Sequence, residues 1–165
     1  EKLLQSQGIK VRDVLDQAEF GELRSEHVPA AFDIHRAART PMNEPPLKLS
    51  AVLDEAVLRR EVGGPGVMAR QLARLIESAR LPHVRLQVLP FSAGAHIGVT
   101  GPFVIFSFSS TSDLDVVVLD HLTSSLYLER KEDLQAYSEA FDSLQVHALS
   151  PEETLDFIAG VADGA

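Results

Sequence analysis

The sequence predicts an α+β domain, an antiparallel sheet of about four to five strands packed with helices and preceded by an N-terminal helical arm. Three observations lead there. Residues 84–89 and 103–108 are two β-rich runs, the first alternating apolar with polar residues and the second apolar on both faces. Residues 115–120 and 126–128 add two more strand-like runs, with a turn between them at Thr123-Ser124. Elsewhere apolar residues recur at helical spacing, most cleanly Met68, Leu72, Leu75, Ile76 and Ala79 at offsets 0, 4, 7, 8 and 11.

In chain order, Val11, Val14, Leu15 and Ala18 at offsets 0, 3, 4 and 7 predict a first helix, and an alanine-rich run over 28–39 a second. Thr40-Pro41 ends it, because proline disfavours helical geometry in the residue before it. Pro41-Met42-Asn43-Glu44-Pro45-Pro46 reads as an extended linker between a helical arm, residues 1–41, and an α+β body, residues 47–165. The body opens with a strand at 47–53. A short helix follows over 54–60, with Asp54 and Glu55 at its start and Arg59 and Arg60 at its end, the order a helix dipole favours.

Gly63-Gly64-Pro65-Gly66 separates it from the Met68 helix. The four later strands read as an antiparallel meander, which needs only local connections. Leu134, Tyr137, Phe141 and Leu144 mark a helix, and Ser150-Pro151-Glu152-Glu153 opens the last one with a capping box and a proline at the first helical position. Helices that follow a meander bury their apolar stripes on one sheet face.

Composition bounds the function. With 165 residues, 45% hydrophobic and 24% charged, the chain has the makings of one ordinary core and is not globally disordered. A formal charge of −9 opposes direct binding of a phosphate backbone by this chain. The absence of cysteine removes disulfides, thiolate metal sites and thiol nucleophiles, and fits a reducing, cytoplasmic setting. No apolar run is long enough to span a bilayer as a helix. Starting at Glu1 rather than methionine, the chain reads as a piece of something longer.

The candidate site is the long connection between the runs at 84–89 and 103–108. It holds Gly94, Gly98 and Gly101, prolines 90 and 102 at its flanks, and His96, which suits a shaped loop. His96 could be a ligand contact, a general base, or a clip that ties loop backbone together. Phe91 and Phe103 back it. Asp54, Glu55 and Arg59 could line a polar pocket beside the sheet, or simply satisfy a helix end.

Asp120 and His121 are adjacent on a strand and therefore face opposite ways, so they form no tight metal clip. Six histidines without a His-x-His or His-x-x-x-His spacing suggest no metal. There is no Gly-x-Ser-x-Gly, and the glycines at 63–66 lack the lysine of a phosphate loop. No catalytic residue or cofactor is assigned. The enzymatic alternative is a small hydrolase or isomerase, with His96 as base and Asp54 or Glu55 as its orienting acid.

An ordered series of motifs carries a resemblance. Val52-Leu53-Asp54-Glu55-Ala56-Val57-Leu58-Arg59-Arg60, Val62-Gly63-Gly64-Pro65, Gln71-Leu72 and Leu81-Pro82-His83-Val84 come first. Gln87-Val88-Leu89-Pro90-Phe91, Ala93-Gly94-Ala95-His96, Gly101-Pro102-Phe103, Leu126-Tyr127-Leu128, Phe141-Asp142 and Ala148-Leu149-Ser150 follow. Together they resemble the C-terminal domain of unknown function carried by actinobacterial (Streptomyces-type) Xre-family helix-turn-helix, antitoxin-like transcriptional regulators. Leu3-Leu4-Gln5-Ser6 is similar to the family's opening motif, whereas Val118-Leu119-Asp120 departs from its usual Tyr-Val-Glu.

The resemblance implies an effector-sensing or protein-interaction domain, with DNA contacted only through a helix-turn-helix absent from this chain. It also implies a homodimer, a possible small partner protein encoded by the adjacent gene, and a possible small-molecule effector. The expected recognition surface combines His96, Phe91, Phe103, Asp54, Glu55, Arg59 and Asp120.

Overall fold

The computed structural model describes residues 9–15 as backbone and residues 48–108 and 115–164 with their side chains. Among these residues, six strands form one mixed sheet in the order β3-β2-β1-β4-β5-β6. The strands are β1 (Ile9–Leu15), β2 (Lys48–Asp54), β3 (Val84–Leu89), β4 (Val104–Phe108), β5 (Val116–His121) and β6 (Ser124–Leu128). β4, β5 and β6 form the antiparallel succession the sequence predicts. β2 and β3, by contrast, are parallel, and β1 joins the two parts by pairing parallel to β2 and antiparallel to β4.

The class is α+β, but the purely antiparallel meander is overturned. A parallel pair needs a crossover. Here α1 (Glu55–Arg59) and α2 (Pro65–Ala79) supply it. The helix predicted from Val11 is also overturned where it is described, since residues 9–15 are a strand paired on both sides. Ile9, Val11 and Val14 are β-branched and suit that role. The expected helix over 28–39 and the linker over 41–46 lie outside the described residues.

Helices cover both faces of the sheet rather than one. Val52, Leu89, Phe103, Ile105 and Val117 pack on one face with Phe141 and Leu144 of α3 (Lys131–His147). Ala51, Leu53, Leu86 and Val88 pack on the other with Leu72 of α2 and Ile158 of α4 (Pro151–Asp163). Alternate residues of β2 and β3 thus enter different cores, which is why residues 51–53 of β2 and 86–89 of β3 are buried without interruption.

The polar residue that made β3 look half-solvated, Gln87, is only 2% exposed. Its Nε2 donates to the carbonyls of Leu149, at 2.9 Å, and Gln145, at 3.3 Å, so a buried amide ties the strand to the α3–α4 connection. The predicted helical stripes of α2 and α3 are found where expected. So is the capping box of α4: the amide of Glu153 donates to Ser150 Oγ while Glu153 accepts from the Ser150 amide.

Candidate functional site

The sheet order explains the long loop. β3 and β4 are not neighbours: β2 and β1 stand between them, three strand steps or roughly 14 Å at the usual spacing of about 4.8 Å. Residues 90–103 therefore cross the carboxyl ends of the parallel strands instead of closing a hairpin. The pairing of Asp54 with Leu89, and of Asp13 with both Ala51 and Val104, places these ends on one side of the molecule.

The crossing is built from two single 3-10 turns, Phe91–Ala93 and Ile97–Thr100. Each turn is followed by a glycine at positive φ, Gly94 at 73° and Gly101 at 128°, backbone that side-chain-bearing residues rarely adopt.

Two consecutive carboxylates at the end of β2 hold this loop down. Glu55, largely buried, accepts the Phe91 amide on Oε2 at 2.8 Å and Arg59 Nε on Oε1 at 2.6 Å. Arg59 also lies over the Phe157 ring, 5.6 Å from its centroid. Asp54 caps α1 by accepting the Ala56 amide on Oδ1 at 2.8 Å. Its Oδ2 faces His96 Nε2 at 3.4 Å, a contact at ion-pair range but long for a hydrogen bond.

The helix-end reading of Asp54 and Glu55 is thus realised, and each carboxylate turns its other oxygen to the loop. His96 itself is enclosed. Its Nδ1 is buried without a hydrogen-bond partner, and a Cβ added at Gly98 would lie 2.9 Å from it and 3.4 Å from Leu144.

Of the predicted site residues, Asp54, Glu55, Arg59 and His96 come together with the Phe91 backbone. Phe103 does not join them as a surface group. It is buried in the core, with its ring edge-on to Tyr137 at 5.0 Å and to Phe141 at 6.5 Å. Asp120 lies on β5, three strand steps from Asp54, exposed and accepting from Ser125 Oγ in the β5–β6 hairpin.

Sequence reasoning passed over Ile97 and Val99. The side chains of Phe91, Ile97 and Val99 are 60%, 49% and 75% exposed, so the loop is fixed from beneath and apolar outside. The signal available was the pair of β-branched residues in Ile97-Gly98-Val99, too large to be needed in a solvated turn. Among the described residues no cluster of three or more histidine, aspartate or glutamate side chains could hold a metal. None of their helices is long and apolar enough to cross a membrane.

Fold and site define an α+β domain in which a carboxylate-anchored loop roofs the ends of a parallel strand pair. Residues 2–160 match the family model described as domain of unknown function DUF5753, and the chain belongs to that family. Comparison with curated proteins and with solved structures gives no match.

Proposed function

We propose that this chain is the regulatory domain of a bacterial, cytoplasmic transcriptional regulator of the Xre-type helix-turn-helix class, and that the loop over 90–103 is its recognition surface for a partner protein. One observation carries the reading. Phe91, Ile97 and Val99 stay exposed on a loop whose backbone and histidine are tied to Asp54 and Glu55. Apolar side chains exposed on a surface loop mark interaction sites, and a loop held in one shape loses little entropy on binding.

The regulator context is supported by the resemblance of the motifs between Val52 and Ser150, and the charge of −9 leaves DNA contact to another segment. The partner envisaged is the small protein encoded by the adjacent gene. A small-molecule effector would act only by binding one state of the regulator better than another. Operator palindromy favours a homodimer.

The hydrolase or isomerase reading gains the 3.4 Å contact between His96 and Asp54. Against it, Nδ1 is buried against Gly98 and Nε2 faces the carboxylate.

The test is calorimetric titration of the full-length regulator with the adjacent-gene protein. The double change Phe91→Ser with Val99→Ser is expected to weaken binding by about tenfold or more while leaving the melting temperature unchanged. Undiminished affinity would remove the loop from recognition.

A further inference from the structure

The two edges of the sheet are treated differently. At β3, the outer backbone is closed by the α3–α4 segment: the Leu149 amide donates to the Val88 carbonyl at 2.8 Å, and the Val88 amide donates to Thr154 Oγ1 at 3.0 Å. At β6 no such cover appears among the described residues. The strand Ser124-Ser125-Leu126-Tyr127-Leu128 carries no charge, no proline and no bulge, the devices that normally protect an edge. Leu126 and Tyr127 are 49% and 63% exposed, and Leu122 in the adjoining turn is exposed as well.

We infer that two copies of this chain pair edge to edge through β6, antiparallel and two-fold symmetric about Leu126. The register follows from the ladder. The tight turn at Leu122 and Thr123 pairs His121 with Ser124, so the alternation of an antiparallel ladder turns the backbone groups of Ser125 and Tyr127 away from β5.

With Leu126 on the axis, Ser125 of one copy lies opposite Tyr127 of the other, and all four outward groups on each edge find partners. Leu126 then meets Leu126 of the second copy in the close, non-hydrogen-bonded position. It does so next to Leu119, its partner across β5 and part of the packing around the α3-side core, so that apolar packing continues into the contact. Two chains of charge −9 repel on approach, and an uncharged strip is where like copies can meet.

This rests on the dimeric part of the proposed function and is independent of the loop. The absence of native cysteine gives a direct test. Residues opposed in that position have Cα atoms about 4.5 Å apart, within disulfide range. Leu126→Cys is expected to form an interchain disulfide under mild oxidation at least about tenfold faster than Val146→Cys, an exposed position on α3 away from β6.

Leu126→Glu and Leu126→Lys, each placing like charges on the axis, are expected to sediment as monomers alone and to form a mixed dimer when combined, with unchanged melting temperatures. Equal cross-linking at 126 and 146, or an unsubstituted chain that stays monomeric at about 100 μM, would overturn the pairing. In that event the edge would be left to an extended segment of another protein. Loop variants that abolish partner binding but leave the dimer intact would separate this result from the function proposed above.

Discussion

At the scale of single residues, His96 is held between a carboxylate and a glycine. Asp54 stands on one side of the ring and the Cα of Gly98 on the other, so the site tolerates no side chain at 98. Gly98→Ala would put a methyl group 2.9 Å from Nδ1 and 3.2 Å from Cε1 of a ring that is largely enclosed. The ring must move away from Asp54. Overpacking of this kind costs about 1–3 kcal/mol. Urea unfolding of the Gly98→Ala variant is expected to show that loss, and its His96 ring resonances to shift; a variant as stable as the parent would mean that the ring is not confined.

The same scale shows what the sequence could disclose about the site. Asp54, Glu55 and Arg59 are legible as a charged helix end, and that reading is physically correct. Their second use depends on where residues 90–96 pass, which is a matter of strand order and leaves no trace in local spacing. Asp120 enters the candidate set through the resemblance at Val118-Leu119-Asp120, yet sheet order places it three strand steps from Asp54.

At the scale of elements, local chemistry and tertiary packing decide different things. The start of α4 is decided locally: Ser150, Pro151 and Glu153 announce it, and the structure has the complete capping box. The backbone hydrogen bond from Ser150, helped by its side chain, holds the Glu153 carboxyl below the ordinary glutamate range. A lowered folded value means that this stabilisation is fully present above the unfolded glutamate pKa and is lost as pH falls through the folded one.

The stability difference between the parent and Glu153→Gln is therefore expected to be largest near neutral pH and to shrink in acid. Urea melts at a series of pH values check it, and a difference that grows on acidification would contradict the capping geometry. β1 is the opposite case. Val11, Val14 and Leu15 fit a helical spacing as well as its β-branched residues fit a strand, and only pairing with β2 and β4 settles the matter. Gln87 misled for a similar reason, since a polar residue at a strand position says nothing about whether a carbonyl waits for it in the interior.

At the scale of the whole molecule, one topological fact organises the rest. Because β3 and β4 are separated by β2 and β1, the chain must travel across the carboxyl ends of the parallel strands, and the loop that does so becomes a roof. Glu55 fastens its start and Asp54 approaches its middle. The exposed apolar side chains then stand on a fixed frame above one end of the sheet, while the β6 edge lies at the far side of the same sheet. The proposed partner recognition and the inferred self-pairing therefore use surfaces that do not compete.

The α+β class, the α2 and α3 stripes and the capped α4 were readable because each depends on neighbours within a few residues. The mixed sheet and helices on both faces were not, because parallel pairing joins residues some 35 positions apart, as Leu49 with Val84.

The proposed partner recognition depends on the loop being fastened rather than loose, and hydrogen exchange at the Phe91 amide reads that directly. Bonded to a largely buried carboxylate, this amide is expected to exchange about a hundredfold more slowly than in an unstructured peptide, and to lose most of that protection in Glu55→Ala while the amides of β2 keep theirs. A Phe91 amide that exchanges as freely in the unsubstituted protein as in a peptide would contradict the anchored loop and the recognition surface built upon it.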